Sequence, residues 1–584
     1  MRFNSGWAWT ALAILSAVFV ILATLQYWSM EEDAFILFRY AESAAHGNGL
    51  YFNGDYGSPE RVAGYSNIVW ILILALVAKL GIPTPAGARA VLLLISSLNL
   101  ILLYYLTKRI TGEHRPLNLL PPLLLATNVC YLWYAPGGME PALFIFFAQS
   151  AFLAFIYEEE QGVRFPYSAI LFALLTMTHP EGPLYFLAAV AWRGARRWRN
   201  KEIFLRDGVW FFTFWTIYFG FLIWHLGYYR DPFPTTFYNK GVGHPQKLLP
   251  GLKHLLSFFL DSRGYILFLP ILALPLRRKW DRLASPRHPA LGGVAGWLVA
   301  LFVLAGVGFI LVCGGDNKTH YRFIIPFMPF LFVLVAAGLA RLGEWMRNKR
   351  ALAVAVTASL AVILAVTNTV LFDDFVPRGN MLTANIAELV KNPRYLIDKW
   401  RYSFAPYSHH PSTNVGRWMK ENLPPDSYIA TGQTGNIPYY AEMTCLDIMG
   451  FNDQIIQKIR MERNWGYNTY ILARKPDYLG DYDVMMSQYG DRLAPTRLVE
   501  DPDFIANYEL YAVIDTDRAV RGESIGIQRF VLFKRREQPM ELEGWEYEEA
   551  LESFVSKGEN VLSYSCDYIL PPGYKESEND GKEE

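Results

Sequence analysis

The chain has 584 residues, of which 52% are hydrophobic, 15% aromatic and only 18% charged. Soluble domains run nearer a quarter charged, so lipid is part of the solvent for this sequence. Its 54 basic and 54 acidic residues cancel, which removes the electrostatic case for nucleic acid as a partner.

A membrane span needs about 20 apolar residues, fewer where helices break inside a bundle. On that measure the predicted spans are 8–28, 88–107, 117–135, 141–157, 167–178, 183–194, 208–228, 264–276, 290–313, 322–343 and 351–371, roughly eleven in all. The first run is long for a signal peptide and lacks a small-residue cleavage site, so it is expected to remain as a span. The run 68–80 would rise only about 20 Å as a helix and is expected to lie in the interface.

Lys and Arg accumulate in short cytoplasmic loops. With the N-terminus inside and 68–80 not spanning, the basic loops share one side. They carry Lys108, Arg109 and Arg115; Arg193, Arg196, Arg197, Arg199 and Lys201; Arg277, Arg278, Lys279, Arg282 and Arg287; and Arg347, Lys349 and Arg350. The opposite face receives 29–87, 136–140, 179–182, 229–263, 314–321 and the tail from about 372.

That tail has the turn and strand punctuation of a soluble α/β domain. Residues 427–432 and 529–533 read as strands, and 412–422 as a helix ending before Pro424-Pro425. Its acidic end, 575–584, reads as disordered. Such a domain either binds an acceptor or caps the membrane part. The expected fold class is therefore a polytopic α-helical membrane protein. It has a membrane module over 1–371, with first outer loop 29–87, and an extracytoplasmic α/β domain over 372–584. The four cysteines lack metal-ligand spacing. Cys445 and Cys566 are the pair a disulfide would join if the tail sits in an oxidising compartment.

The outer face collects the unusual polar residues, which are costly at span ends unless paired or hydrated. First come Glu31-Glu32-Asp33, leading into a helical pattern from Ala34 to Ala45 that carries Arg39 and Tyr40 and stops at His46-Gly47-Asn48-Gly49. Later come Glu60, Tyr65 and Asn67, then Glu140, His179, Glu181, Tyr238, Lys240, Asp316, His320 and Arg322.

Several of these segments resemble a known family. Glu32-Asp33-Ala34-Phe35, Phe38-Arg39-Tyr40-Ala41, Gly47-Asn48-Gly49-Leu50, Glu60-Arg61-Val62-Ala63-Gly64-Tyr65-Ser66-Asn67 and Trp70 are similar to the first loop of bacterial membrane glycosyltransferases of the C-type (GT-C) fold. That family includes the mycobacterial terminal β-arabinofuranosyltransferases. Gly138-Met139-Glu140-Pro141, Thr178-His179-Pro180-Glu181-Gly182, the run from Pro234 to Lys240, Gly314-Gly315-Asp316 with Tyr321-Arg322-Phe323, the run from Gly435 to Tyr440 and the run from Asp447 to Asp453 look similar too. The resemblance covers about residues 8–455. Two departures matter: the family usually has Asp-Asp where this chain has Glu32-Asp33, and Arg where it has His179. The second removes a permanent charge and weakens a phosphate-binding role there.

The resemblance implies a sugar donor carried on polyprenyl phosphate, plausible sugar arabinofuranose, and an extracytoplasmic glycan or glycoprotein acceptor. It also implies a multi-pass protein of the bacterial inner membrane with a cytoplasmic N-terminus and a periplasmic C-terminal domain. Asp33 or Glu32 would be the catalytic base. Arg39, Lys240, His320 and Arg322 are candidates for the lipid phosphate. Glu60, Tyr65, Asn67, Glu140, His179, Glu181, Tyr238 and Asp316 are candidates for acceptor or sugar. Blander roles stand beside these: Arg322 snorkelling to headgroups, Lys240 as a solvated charge, His179 as a bundle histidine. Glu140 and Asp33 could jointly hold Mg²⁺ or Mn²⁺, share a proton, or orient a hydroxyl; the residues do not choose. Trp133, Tyr134, Tyr228, Tyr229, Phe237 and Tyr238 suit either an interfacial belt or stacking on sugar. A lipid-linked-sugar flippase, or a non-catalytic subunit of envelope polysaccharide assembly, is the alternative.

Overall fold

The computed structural model describes residues 5–26, 30–56, 61–112, 116–163, 165–200, 205–239, 245–275, 291–316, 318–346, 349–369, 381–403, 410–462, 466–489, 496–520, 523–540, 544–558 and 560–568. The chain forms two compact units. A helical unit comprises Met1–Tyr27, Arg89–Ile223 and Gly241–Arg401, and a mixed unit comprises Trp28–Ala88, Trp224–Lys240 and Tyr402–Glu584. The boundary is not the expected cut at 371/372. The first loop folds with the tail, because its side chains are hydrogen-bonded there, and the helices Met381–Lys391 and Arg394–Ser403 fold with the helical unit.

Among the described residues seven helices are long and apolar enough to cross a membrane: Gly6–Gln26, Thr84–Thr111, Pro141–Gln161, Leu205–Tyr229, Gly296–Cys313, Met328–Trp345 and Ala351–Thr369. An eighth is possible if Pro245–Asp261 and Gly264–Ala273, bent by 73°, act as one span. Among the described residues not all of the expected eleven runs form such helices, and the reasons are local. The run 117–135 breaks at Asn128, whose side chain accepts a hydrogen bond from Tyr131 N and caps a second short helix. The run 167–178 yields only the ten-residue helix Tyr167–Thr176, about 15 Å long. The run 183–194 lies in Gly182–Asn200, which carries Arg193, Arg196 and Arg197. The run 68–80 forms the short helix Ile68–Lys79.

Polar side chains tie the helical unit together. Asn128 Nδ2 donates to Asn368 Oδ1 (2.9 Å), and Asn368 Nδ2 to Leu124 O (2.8 Å). Asn99 Nδ2 is shared between Tyr131 OH (3.0 Å) and Ala142 O (2.8 Å). Three arginines of an expected cytoplasmic basic loop are paired and largely buried. Arg193 and Arg197 bond Glu159 at 2.9 and 3.1 Å, Arg197 also takes Asp207 at 2.9 Å, and Arg196 reaches Glu159 at 3.3 Å. Arg115, Lys201, Arg347 and the cations from Arg277 to Arg287 lie outside the described residues.

In the mixed unit six strands form one sheet of order β2-β1-β3-β5-β4-β6. They are β1 (Tyr428–Thr431), β2 (Thr444–Asp447), β3 (Tyr478–Tyr482), β4 (Tyr508–Val520), β5 (Glu523–Arg535) and β6 (Val561–Tyr568). β1 pairs in parallel with both β2 and β3, whereas β3–β5 and β4–β5 are antiparallel. Both expected strands are present, within β1 and β5, and so is the helix, Pro411–Asn422. Ala430, Leu446, Ile456, Leu479, Val531 and Phe533 form part of the core. Cys445 and Cys566 lie on the two opposite edge strands, about 24 Å apart at ~4.8 Å per strand. A disulfide needs Cα atoms within about 7 Å, so the suggested bridge does not form; Cys445 is a buried thiol, and the side chain of Cys566 lies outside the described residues.

Candidate functional site

In the mixed unit the acidic run opens the helix Glu32–Ala45, with Glu32 and Asp33 in its first turn. Helix N-termini favour negative charge. Both residues are half-buried. Glu32 Oε1 accepts a hydrogen bond from Gly435 N at 3.1 Å, in the loop that follows β1. A Cβ on Gly435 would come within 2.1 Å of Glu32 O, so only glycine permits this approach.

Arg39, nearly two turns further on, is 2% exposed. Its Nε donates to Phe52 O (3.0 Å), and Nη2 to Asn53 Oδ1 (3.0 Å) and Met443 O (3.1 Å). Nη1 donates to Pro438 O, and the guanidinium lies 4.4 Å from the Tyr56 ring centre. The group is thus committed inside the unit, which corrects its expected place on a donor phosphate. Burial lowers its pKa, against the pull of Tyr56, Cys445, Asp55 and Glu42.

The family-like motifs hold one another. Tyr40 OH meets Val62 O (2.8 Å) and Asn452 Oδ1 (3.1 Å), and accepts from Gly64 N (3.0 Å). A Cβ on Gly64 would lie 1.9 Å from Asn452 Oδ1, which explains that glycine. Thr235 N and Oγ1 donate to Ala63 O at 3.0 and 3.1 Å. Tyr65 OH lies 2.8 Å from Tyr229 OH, which donates to Leu50 O at 2.8 Å. Tyr238 OH donates to Asp231 Oδ1 (2.7 Å), and burial, with Asp231, pushes its pKa to about 12. Asn67 is buried at the start of Ile68–Lys79. Glu60 and Lys240 lie outside the described residues.

Three carboxylates here carry weight that the sequence reading did not assign. Asp447 accepts hydrogen bonds from Met449 N (2.8 Å), Gly450 N (3.0 Å) and Asn452 N (2.7 Å), and burial raises its pKa to about 6. Asp481 is equally buried, with its pKa also raised to about 6 by that burial. Glu42 Oε1 accepts from Thr84 Oγ1 and Tyr439 OH, each at 2.6 Å, while burial raises its pKa. The Asp-x-x-Gly-x-Asn spacing at 447–452 was the available signal for the first; nothing local marks the other two.

The helical unit holds the remaining candidates. Arg322 grips Asp316 with Nε–Oδ2 at 2.7 Å and Nη2–Oδ1 at 3.2 Å. Gly314 and Gly315 precede this pair at φ +86° and +85°, where added Cβ atoms would meet Lys247 and His254 at 2.8 and 2.7 Å. His320 and Tyr321 adopt φ of 60° and 51°, a conformation that costs non-glycine residues of order 1 kcal/mol or more. His320 stacks on Trp133 at 4.1 Å, and Tyr321 OH donates to Asp261. His179 and Glu181 are buried, with Nδ1 and Oε1 3.8 Å apart, and the imidazole is edge-on to Phe144 and Phe309. Glu140 is buried at the start of Pro141–Gln161. Asp33 and Glu140 belong to different compact units. Among the described residues no three His, Cys, Asp or Glu side chains gather as a metal site, so no step is assigned to Mg²⁺ or Mn²⁺.

Residues 398–533 match a family model described as a domain of unknown function, DUF8728. The search of curated proteins returned no match. Among solved structures, the apo oligosaccharyltransferase of Archaeoglobus fulgidus is 13% identical, with 90% of this chain and 74% of that chain aligned at a TM-score of 0.52. The same archaeon's oligosaccharyltransferase AglB, solved with an inhibitory peptide and a dolichol-phosphate, is 13% identical over 88% and 74% of the chains at 0.49. A complex of the archaeal enzyme with Zn and sulfate aligns at 12% identity over 86% and 72%, at 0.48. The first likeness establishes the fold: a polytopic helical membrane protein with a C-terminal mixed α/β sheet, like the archaeal oligosaccharyltransferase.

Proposed function

We propose that the protein is a membrane glycosyltransferase. It takes a sugar from a polyprenyl-phosphate donor and passes it to an extracytoplasmic glycan or glycoprotein, at the bacterial inner membrane. Arabinofuranose is the sugar the first-loop motifs favour. The observation that carries this reading is the acidic pair at the start of Glu32–Ala45, its Glu32 anchored through Gly435, in a chain with the oligosaccharyltransferase fold. Asp33 accepts the proton of the acceptor hydroxyl as its oxygen bonds to the sugar's anomeric carbon. The anomeric C–O bond to phosphate breaks, and polyprenyl phosphate leaves. Of the residues expected on a donor phosphate, Arg322 is set by Asp316 and His320 by Trp133 within the helical unit. Tyr65, Asn67 and Tyr238, in the same unit as Asp33, shape the surroundings of the acceptor.

A lipid-linked-sugar flippase is the second reading, favoured by the 73° break between Pro245–Asp261 and Gly264–Ala273, since broken helices mark transport sites. Purified protein in nanodiscs, given polyprenyl-phosphate sugars and glycan acceptors, separates the two. Release of free polyprenyl phosphate is expected of the transferase. Unaltered donor with all sugars and acceptors tried would remove it in favour of transport.

A further inference from the structure

We infer that Asp481 and Tyr489 are positioning residues for the Glu32 carboxylate, acting through the tight turn at 432–435. This rests on the reading above that the Glu32–Asp33 pair performs the chemistry.

The sheet explains why such a device sits here. β1 and β3 are parallel neighbours, with Ala430 opposite Leu479, so their carboxyl ends lie side by side. The chain leaves β1 towards β2 on one side, while β3 lies on the other. The crevice outside the carboxyl ends of strands arranged in this way is where α/β sheets take their ligands. In this sheet the turn after β1 meets Glu32 instead.

The turn has no slack. Asp481, 0% exposed near the end of β3, accepts from Gly432 N (2.9 Å), Gln433 Nε2 (3.3 Å), Tyr482 N (2.7 Å) and Tyr489 OH. A Cβ on Gly432 would lie 2.1 Å from Tyr489 OH and 2.5 Å from Asp481 Oδ2. Three residues along, Gly435 N donates to Glu32 Oε1, and a Cβ there would lie 2.7 Å from Glu32 Cγ. The two glycines thus press the turn against Asp481 at one end and against Glu32 at the other. Burial, and then the Asp481 carboxylate, push the Tyr489 phenol's pKa up. Asp481 and Tyr489 therefore fix where Gly435 N stands, and Gly435 N fixes where the carboxylate points.

A double-mutant cycle tests this against a merely structural role. Tyr489→Phe removes one oxygen, and Glu32→Asp withdraws the carboxylate from Gly435 while keeping its charge. Each is expected to lower kcat for polyprenyl phosphate release about tenfold, a modest misplacement cost, with donor KM unchanged. In the Glu32→Asp background, Tyr489→Phe should cost nothing further, because the link it serves is already gone. Asp481→Asn should behave like Tyr489→Phe, and if it fails to fold the cycle still stands on Tyr489. A Tyr489→Phe enzyme with wild-type kcat, or a double variant slowed by the product of the single effects, would overturn the inference. Failure of the parent reading looks different: wild type would then release no polyprenyl phosphate, or Asp33→Asn would release it as fast as wild type.

Discussion

The two compact units hide charge in opposite ways. In the helical unit, carboxylates are neutralised by other side chains: Glu159 by three arginines, Asp316 by the fork of Arg322. In the mixed unit, two buried carboxylates are cradled by backbone N–H groups at the ends of parallel strands, Asp447 by three and Asp481 by two, while Glu42 is held by hydroxyls. A paired charge depends on its partner being present, whereas a cradled charge depends on the backbone keeping its shape. Ion pairs suit helices, whose own N–H groups are consumed internally. Cradles suit loops, whose N–H groups are otherwise unmatched. The loop after β1 also holds the Glu32 carboxylate, through Gly435 N.

That contrast can be broken by substitution, and the largest expected effect concerns chemistry. Asp33→Asn should fold normally and lose at least a hundredfold in turnover, on the scale of a general base. Turnover near wild type would remove Asp33 from that role. Next comes the pairing rule. Glu159→Ala leaves arginines buried without their shared carboxylate and should cost about 3–5 kcal/mol, seen as a lowered thermal midpoint in detergent. An unchanged midpoint would mean the arginines are not dependent on Glu159.

The cradle rule predicts a pH dependence of definite sign. Burial holds the Asp447 pKa near 6 instead of 3.8, so the folded state binds its proton more tightly than the unfolded chain. The stabilisation is fully present below about 3.8 and is lost as pH rises through about 6, at most about 3 kcal/mol. The stability difference between wild type and Asp447→Asn should therefore shift in favour of wild type as pH falls from 7 to 4. A shift the other way would mean that the three N–H donors outweigh burial. The smallest effect is Tyr65→Phe, which removes the bond to Tyr229 and should cost about 1 kcal/mol in the same unfolding assay.

Local patterns in the sequence were read well where local physics decides. The helix after Glu31 and its stop at Gly47 and Gly49, both at positive φ, follow from periodicity and turn chemistry. β1, β5 and the Pro411–Asn422 helix were legible for the same reason. The span count failed because hydropathy cannot see that Asn128 caps a new helix, or that Arg193 to Arg197 find partners on neighbouring helices. The structural role of Arg39 leaves no local signal, because its contacts, Pro438 and Met443, lie some 400 residues away. Gly64 and Asn452 belonged to recognised motifs, but only their 1.9 Å constraint shows why they occur together. Asp481 left no signal at all, since its four donors come from three separate segments.

The most direct measurement is a single-turnover assay of purified protein with a radiolabelled polyprenyl-phosphate sugar and a glycan acceptor, comparing wild type with Asp33→Asn. Wild type is expected to move the label into the acceptor and release polyprenyl phosphate, while Asp33→Asn binds the donor equally and transfers nothing. Label that stays on the lipid with wild type, or moves equally fast with both proteins, would contradict the account.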